Sequence, residues 1–234
     1  MKTYYGLFDE EMPSKKIIGF SIIVALFLCC KNIYAIDTLN YVDKNNMKQG
    51  HWVYTNKTKK LPNYKDNQVI EEGSYSDDKK TGKWIFYYNN NKVKQVLTYL
   101  NNRPDGHAVF YYKNGNKEVV SEYTADYLNG KRSFYSPSGT LQLIRFYNHG
   151  ILVGYSYLDE NGEELPMIPV EKGTATIESY YPNGKLARKM VIKDGYFDEK
   201  YTSYYENGNL QTDIDYTMGS YNGPHKSYHE NDIN

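Results

Sequence analysis

The sequence of 234 residues carries 28 basic and 28 acidic side chains, so it has no net charge that would attract nucleic acid or anionic lipid in general. We therefore expect no nucleic-acid partner. With 40% hydrophobic residues and 27 tyrosines the chain is too aromatic for a disordered protein, and with 24% charged residues it is too polar for a protein embedded in a membrane throughout.

The first 35 residues have the pattern of a targeting segment. Lys15 and Lys16 precede residues 17–30, which carry no charge, and the small residue Ala35 closes the segment. A run of this length is short for a membrane span. Residues 1–35 are therefore predicted to be a secretory signal that is cleaved after Ala35, with Met12 as an alternative start.

Two other outcomes would keep this segment on the protein. It could remain as a membrane anchor through residues 17–30, or it could be lipidated at Cys29 or Cys30. In each case we expect an exported protein, either periplasmic, held at the cell envelope or secreted, whose membrane contact is through this segment only. The sequence has two cysteines and both lie here, so the mature domain, residues 36–234, needs no disulfide or thiol chemistry.

An internal repeat of 24 residues organises the rest of the chain. It is marked by four glycines: Gly82, Gly106, Gly130 and Gly154. Each of the first three is followed by a Phe-Tyr pair, a turn and a later tyrosine. An earlier unit begins at Gly50 and has eight added residues, which we place in an exposed loop around Pro62. Self-similarity at a fixed period indicates a repeat array.

Each repeat predicts two antiparallel strands. Segments rich in valine, phenylalanine and tyrosine alternate with two-residue turns such as Asn114-Gly115. Asn-Gly favours a type I′ hairpin turn because both residues tolerate a positive φ. A looser turn then leads to the next repeat glycine. The predicted fold is all-β: an elongated meander of antiparallel β-hairpins, with about two strands per 24 residues and no helix in the pattern.

The regular spacing is interrupted at residues 163–174. Pro166 and Pro169 lie in this stretch, and proline cannot donate a hydrogen bond from the middle of a strand. We therefore expect a hinge or break of the array there. The spacing resumes at Asn183-Gly184 and continues towards the C-terminus.

One tyrosine position of the repeat supplies a candidate binding face. It holds Tyr87, Tyr111, Tyr135, Tyr180, Tyr204 and Tyr228. Alternate residues of a strand share a face, so these side chains are predicted to form one continuous row. In the C-terminal half the opposite face carries Ser179 and Ser203, which leaves Tyr180 and Tyr204 as the predicted packed side. The row is either core, through cross-strand pairing, or a surface for a protein, peptide or glycan.

Units with glycine, an aromatic pair and Asn-Gly in this order resemble the MORN (membrane occupation and recognition nexus) repeats. They are most similar to the bacterial variant that is often described as the antitoxin component of a toxin–antitoxin pair. The resemblance covers about residues 50–232. It implies a β-hairpin scaffold for partner proteins and no catalytic residues. Export would conflict with an antitoxin role, because it would take the protein away from a cytoplasmic toxin.

The sequence has no signature of a catalytic, cofactor or metal site. His225 and His229 are four residues apart, which does not make a ligand pair in a strand. Acidic neighbours such as Glu71 and Glu72 point to opposite faces of a strand, so they are poor acid–base pairs. No nucleophile or nucleotide motif occurs.

We therefore expect a non-enzymatic interaction module without a cofactor, which binds another protein across its aromatic sheet face. One alternative is an antitoxin- or immunity-type protein that neutralises a toxin. A second alternative is an envelope protein that binds glycans or acts on them.

Overall fold

The repeats fold into antiparallel sheets. The computed structural model describes residues 39–231, which belong to one compact unit, Ile36–Asn234. The predicted signal segment, residues 1–35, lies outside the described residues, and so does the alternative anchor at residues 17–30. Within residues 39–231, no helix is long and apolar enough to cross a membrane.

The first sheet has 11 strands, and their order in the sheet follows the chain. They are β1 (Tyr41–Val42), β2 (Lys48–Thr55), β3 (Val69–Ser76), β4 (Lys79–Tyr87), β5 (Val93–Leu100), β6 (Arg103–Tyr111), β7 (Lys117–Thr124), β8 (Tyr127–Tyr135), β9 (Leu141–Asn148), β10 (Ile151–Ser156) and β11 (Ile168–Pro169). The added residues of the first unit form a loop between β2 and β3 that contains one short helix, α1 (Asn56–Lys59).

The second sheet has six strands. They are β12 (Ala175–Tyr180), β13 (Leu186–Lys193), β14 (Tyr196–Tyr204), β15 (Leu210–Thr217), β16 (Ser220–Tyr221) and β17 (Lys226–Ser227). A single 3₁₀ turn, Glu171–Gly173, precedes it. The predicted all-β hairpin meander is confirmed, and so is the break, because β11 and β12 belong to different sheets.

The Asn-Gly loops contain three residues rather than the predicted two. Around Lys113, Asn114 and Gly115, the Gly115 N–H donates to the Tyr112 carbonyl at 2.9 Å, and the Tyr112 N–H donates to the Asn116 carbonyl at 2.9 Å. Only Gly115 of the loop has a positive φ, 101°. The Asn114 side chain accepts a hydrogen bond from the Asn116 N–H at 2.9 Å. The type I′ prediction is therefore wrong here, because asparagine closes the loop through its side chain and leaves the positive φ to glycine.

The type I′ turns lie at the other end of the strands. Asp77 and Asp78 join β3 to β4 with φ of 50° and 62°, and Asn101 and Asn102 join β5 to β6 with φ of 52° and 69°. Positive φ at both residues is typical of this turn. The prediction of a looser turn is wrong here, since the repeat glycine lies inside its strand. Gly106, for example, has a φ of 101° within β6, where the register with β5 shifts.

The two sheets pack against each other through one hydrophobic core. Its buried members are Phe134 and Leu143 of the first sheet, Val170, and Ile177, Met190 and Ile192 of the second. Ile177 and Ser179 are both 0% exposed, whereas Tyr180 and Tyr204 are half-buried. The prediction that these two tyrosines form the packed side is therefore wrong. Alternate residues of β12 share a face, so burial of Ile177 takes Ser179 into the core with it.

Candidate functional site

The break between the sheets divides the six candidate tyrosines into two rows of three. Five of the six end the strands that enter the loops at the Asn-Gly end of each sheet, and Tyr228 directly follows β17. The first row is Tyr87, Tyr111 and Tyr135, and the second is Tyr180, Tyr204 and Tyr228. All six side chains are half-buried. The repeat thus places them at equivalent positions, but not in the one continuous row that the sequence predicts.

A second set of tyrosines, each one residue further along, ties neighbouring hairpins together. The Tyr88 hydroxyl donates to the Tyr111 carbonyl at 2.6 Å, and the Tyr112 hydroxyl donates to the Tyr135 carbonyl at 2.7 Å. The second sheet repeats this contact from Tyr181 to Tyr204 and from Tyr205 to Tyr228. Sequence reasoning missed this role, although the double tyrosines are its signal. The backbone that carries the candidate row is therefore fixed by the preceding hairpin.

The asparagines of the loops make a similar series of contacts. Asn90 Nδ2 donates to the Lys113 carbonyl at 3.1 Å, and Asn114 Nδ2 donates to the Pro137 carbonyl at 2.8 Å. In the second sheet, Asn183 Nδ2 donates to Glu206 and Asn207 Nδ2 donates to Glu230 in the same way. Each of these loops is thus hydrogen-bonded to the next, which fixes the Asn-Gly end of each sheet along this series.

Serine stands at both donor positions in the hairpin of β8 and β9. Ser136 takes the place of the second tyrosine, and Ser138 takes the place of the asparagine. The Ser136 hydroxyl accepts a hydrogen bond from the Thr140 N–H at 3.1 Å, within its own loop. A serine side chain is too short to span the distance to the next hairpin. The hairpin-to-hairpin contacts therefore stop just before the first sheet ends.

The side of the first sheet that carries Tyr87 and Tyr111 also carries a row of aliphatic side chains. Register places Ile85 opposite Val96, Val96 opposite Val109, and Val109 opposite Val120. Ile85 and Tyr87 are two residues apart on β4 and so share this side. We call this surface the aliphatic face, and it consists of Ile85, Tyr87, Val96, Val109, Tyr111 and Val120. All six side chains are half-buried, so each keeps surface that a partner could cover.

Glu72 of β3 fixes Tyr87 at one edge of the aliphatic face. The Tyr87 hydroxyl donates a hydrogen bond to the Glu72 carboxylate, and His51 Nε2 lies 3.4 Å from the same carboxylate. Burial and the hydrogen bond to Glu72 raise the pKa of Tyr87 to about 12. The hydroxyl therefore stays protonated at neutral pH, which suits a hydrogen-bond donor and not a general base.

The opposite side of the first sheet is covered by groups of the protein itself. Lys80 Nζ lies 3.8 Å from the centroid of the Trp84 ring, which is 0% exposed, and Lys48 Nζ lies 5.1 Å from that of Trp52. These are cation–π contacts. Near the C-terminal strands, the second sheet packs on this side. The aliphatic face is therefore the more accessible apolar side of strands β4 to β7.

Where the two sheets meet, they enclose a cleft of about 600 Å³. Arg132 and Arg145 of the first sheet and Arg188 of the second line it. Their guanidinium carbons lie 5.3, 4.6 and 4.7 Å from the centroid of the Phe134 ring. Burial lowers the pKa of Arg132 and raises the pKa of Glu118, which also lines the cleft. Sequence reasoning missed this cluster, because only the docking of the two sheets brings Arg188 to Arg132 and Arg145.

Other polar groups make no second site. Within the described part of the chain, no three His, Cys, Asp or Glu side chains form a group that could hold a metal ion. Glu71 pairs with Lys59 and Lys80, while Glu72 bonds to Tyr87 on the other side of the strand. The prediction that these two acids point to opposite faces is confirmed.

Comparison with known proteins assigns the repeat unit. The family model for the MORN repeat variant matches residues 80–101, 128–149, 174–194 and 200–217. These segments fall on the hairpins β4–β5, β8–β9, β12–β13 and β14–β15. A comparison with curated proteins found no match. MORN repeats are generally modules for interaction with proteins or membranes. Four hairpins of this chain therefore match the MORN repeat variant.

Proposed function

We propose that this chain is a non-enzymatic interaction module that binds a partner protein across the aliphatic face. The observation that carries the proposal is the row of four aliphatic residues on four adjacent strands, with Tyr87 and Tyr111 beside it and no charged residue between its members. The centre of a protein interface is depleted in charge and enriched in tyrosine. The composition of the aliphatic face fits this description.

The residues around the aliphatic face support the same function. Lys83 and His107 lie two residues before Ile85 and Val109, on the same side of the sheet, and both are exposed. A polar, solvent-accessible rim around an apolar centre is the usual arrangement of a protein interface. The hydrogen bonds between hairpins hold this surface rigid, which lowers the entropy cost of binding.

We also propose export, because residues 1–35 have the pattern of a secretory signal. The partner is then a protein of the cell envelope or the surroundings. An antitoxin role, the first alternative, requires a cytoplasmic protein that meets its toxin. A glycan-directed role, the second alternative, requires binding or turnover of a cell-wall glycan.

Site-specific photo-cross-linking in the native host tests the proposal. A photoreactive amino acid replaces Val109 in the aliphatic face, and in a matched control it replaces Val42, an exposed valine of β1 that is 43% exposed. The full chain is used, with its N-terminal segment. We expect one discrete protein adduct from position 109 and none from position 42.

Three outcomes would contradict the proposal. They are no adduct at position 109, the same adducts at both positions, or release of sugar fragments from a cell-wall glycan by the purified protein. A cytoplasmic toxin as the adduct would support binding across this face but contradict export.

A further inference from the structure

We propose that the cleft between the two sheets binds a small oxyanion ligand that carries a carboxylate or a phosphate group. The cleft and the aliphatic face have no residue in common. This proposal therefore stands or falls independently of the proposed function.

Arginine is concentrated in the cleft. Of the 28 basic side chains of the sequence, four are arginines. Three of them, Arg132, Arg145 and Arg188, line the cleft. Arg132 and Arg145 are directly opposite each other on β8 and β9. Like charges in this position destabilise a sheet, so sheet stability does not explain the pair.

The described residues provide no counter-ion for these arginines. Among residues 39–231, Arg103 is the one arginine that forms an ion pair, and its Nε lies 3.6 Å from Asp126 Oδ2. Arg145 is 5% exposed, and its Nη2 contacts the sulfur of Met190 at 2.8 Å. The Nε atoms of Arg132 and Arg145 are buried, and neither has a hydrogen-bond partner in this part of the chain.

Elsewhere the fold pairs its buried charge. Glu71, at 7% exposure, is bonded to both Lys59 and Lys80. A buried charge without a partner is costly. Cation–π contact with Phe134 offsets only part of this cost, because it supplies no negative charge. An anion in the cleft would supply it.

The one acid that lines the cleft does not fill this role. Glu118 lines the cleft and is attracted by Arg188, but burial outweighs this attraction and raises the pKa of the carboxyl. With three arginines and one glutamate, the cleft carries a net charge of at least +2 before any contribution from His225.

The walls of the cleft suit an oxyanion. A guanidinium group presents parallel N–H donors that match the oxygens of a carboxylate or a phosphate. The hydroxyls of Tyr201, Thr212 and Ser227 line the same space and can donate to further oxygens. A volume of about 600 Å³ lies within the range of small-molecule sites.

Isothermal titration calorimetry on the purified full chain tests the proposal. Inorganic phosphate and succinate are titrated separately at pH 7, and sodium chloride keeps the ionic strength constant. We expect saturable binding of at least one of the two at one site per chain. Binding of phosphate alone identifies a phosphate group as the ligand, binding of succinate alone identifies a carboxylate, and either result supports the site.

Two arginine variants locate the binding. Arg132→Gln should weaken it at least about ten-fold, because a charge-assisted hydrogen bond is lost. Arg103→Gln is the matched control, since Arg103 is exposed and outside the cleft, and it should bind as the parent does.

If Arg132→Gln does not fold, Arg132→Lys is used to locate the binding instead, because lysine keeps the charge but loses the paired donors. It should bind about three-fold more weakly or worse. The proposal is overturned if neither anion binds more strongly than chloride, if the folded Arg132 variant binds as the parent does, or if Arg103→Gln weakens binding equally.

Discussion

Gln142 of the first sheet accepts two hydrogen bonds from Arg188 of the second, at 3.0 Å from Nε and 2.7 Å from Nη2. Its own amide donates to the Tyr181 hydroxyl at 2.6 Å and to the Tyr204 carbonyl at 3.0 Å. Gln142 is 0% exposed. One side chain therefore joins the two sheets through four hydrogen bonds, at the edge of the arginine cleft.

Replacing Gln142 with leucine tests the importance of this junction. The substitution removes two acceptor contacts from a buried charge, each worth about 1.5–3 kcal/mol. We expect Gln142→Leu to lower the free energy of unfolding by at least about 3 kcal/mol in urea denaturation. Gln95→Leu, at a half-buried position of β5, is the control and should cost less than about 1 kcal/mol. Equal losses in the two variants would mean that the junction does not hold the sheets together.

The two residues of a double tyrosine should differ in their effect on stability. Tyr181 is 2% exposed and its hydroxyl donates to the Tyr204 carbonyl at 2.7 Å, whereas Tyr204 is half-buried. Tyr181→Ala should cost about 3–5 kcal/mol, in the range of large aromatic truncations in a core. Tyr204→Ala should cost less than half of that, measured by the same denaturation. A larger loss for Tyr204→Ala than for Tyr181→Ala would instead support the prediction from the sequence that Tyr204 lies on the packed side.

Glu118 should make stability depend on pH. Burial raises its pKa above the usual 4.5, so the folded protein binds the proton more tightly than the unfolded chain. Ionisation of Glu118 therefore lowers the free energy of unfolding as the pH rises above 4.5. At low pH, where Glu118 is protonated in both the folded and the unfolded chain, this loss is absent. Glu118→Gln cannot ionise. Its gain in melting temperature over the parent should be larger at pH 7 than at pH 4. A gain that is the same at both values, or larger at pH 4, would contradict the raised pKa.

The N-terminal segment gives a prediction about processing. If residues 1–35 are a cleaved signal, protein purified from its native host should begin at Ile36-Asp37-Thr38. N-terminal sequencing of the purified protein provides the measurement. A start at Met1 or Met12 would exclude cleavage and remove the objection to an antitoxin role. A lipid on Cys29 or Cys30, detected by mass spectrometry, would identify a lipoprotein instead.

Much of the fold follows from local pattern. The 24-residue glycine period, the aromatic pairs and the recurring Asn-Gly predict antiparallel hairpins, and the structure has them. Pro166 and Pro169 predict the break, because proline cannot serve in a central strand. Each of these signals lies within a single repeat or a single loop, so no knowledge of distant contacts is needed.

The errors come from choices that the local pattern leaves open. Asn114-Gly115 suits both a two-residue and a three-residue loop, and only the backbone φ values separate them. The choice between Tyr180 and Tyr181 as the buried residue depends on which face of β12 the first sheet covers. That choice follows from Ile177, whose burial is a property of the docked sheets.

The candidate sites show the same limit. The six repeat tyrosines can be found from spacing, and three of them do lie in one row of the first sheet. The aliphatic face can be recognised only once the register of β4 to β7 is known, since its valines occur at ordinary strand positions. The arginine cleft can be recognised only once the docking of the two sheets is known. Arg145 and Arg188 are 43 residues apart, and no sequence pattern indicates that they meet.

The affinity of the cross-linked partner for single-site variants tests the central claim most directly. Val109→Lys places a charge in the middle of the aliphatic face, and Val42→Lys makes the same change at an exposed valine outside it. If the face is the interface, Val109→Lys should weaken binding by about 2 kcal/mol or more, roughly thirty-fold, as at an interface hot spot. Both variants should keep a melting temperature close to that of the parent, and Val42→Lys should keep the affinity. Equal affinities of the two variants for the partner would contradict the claim.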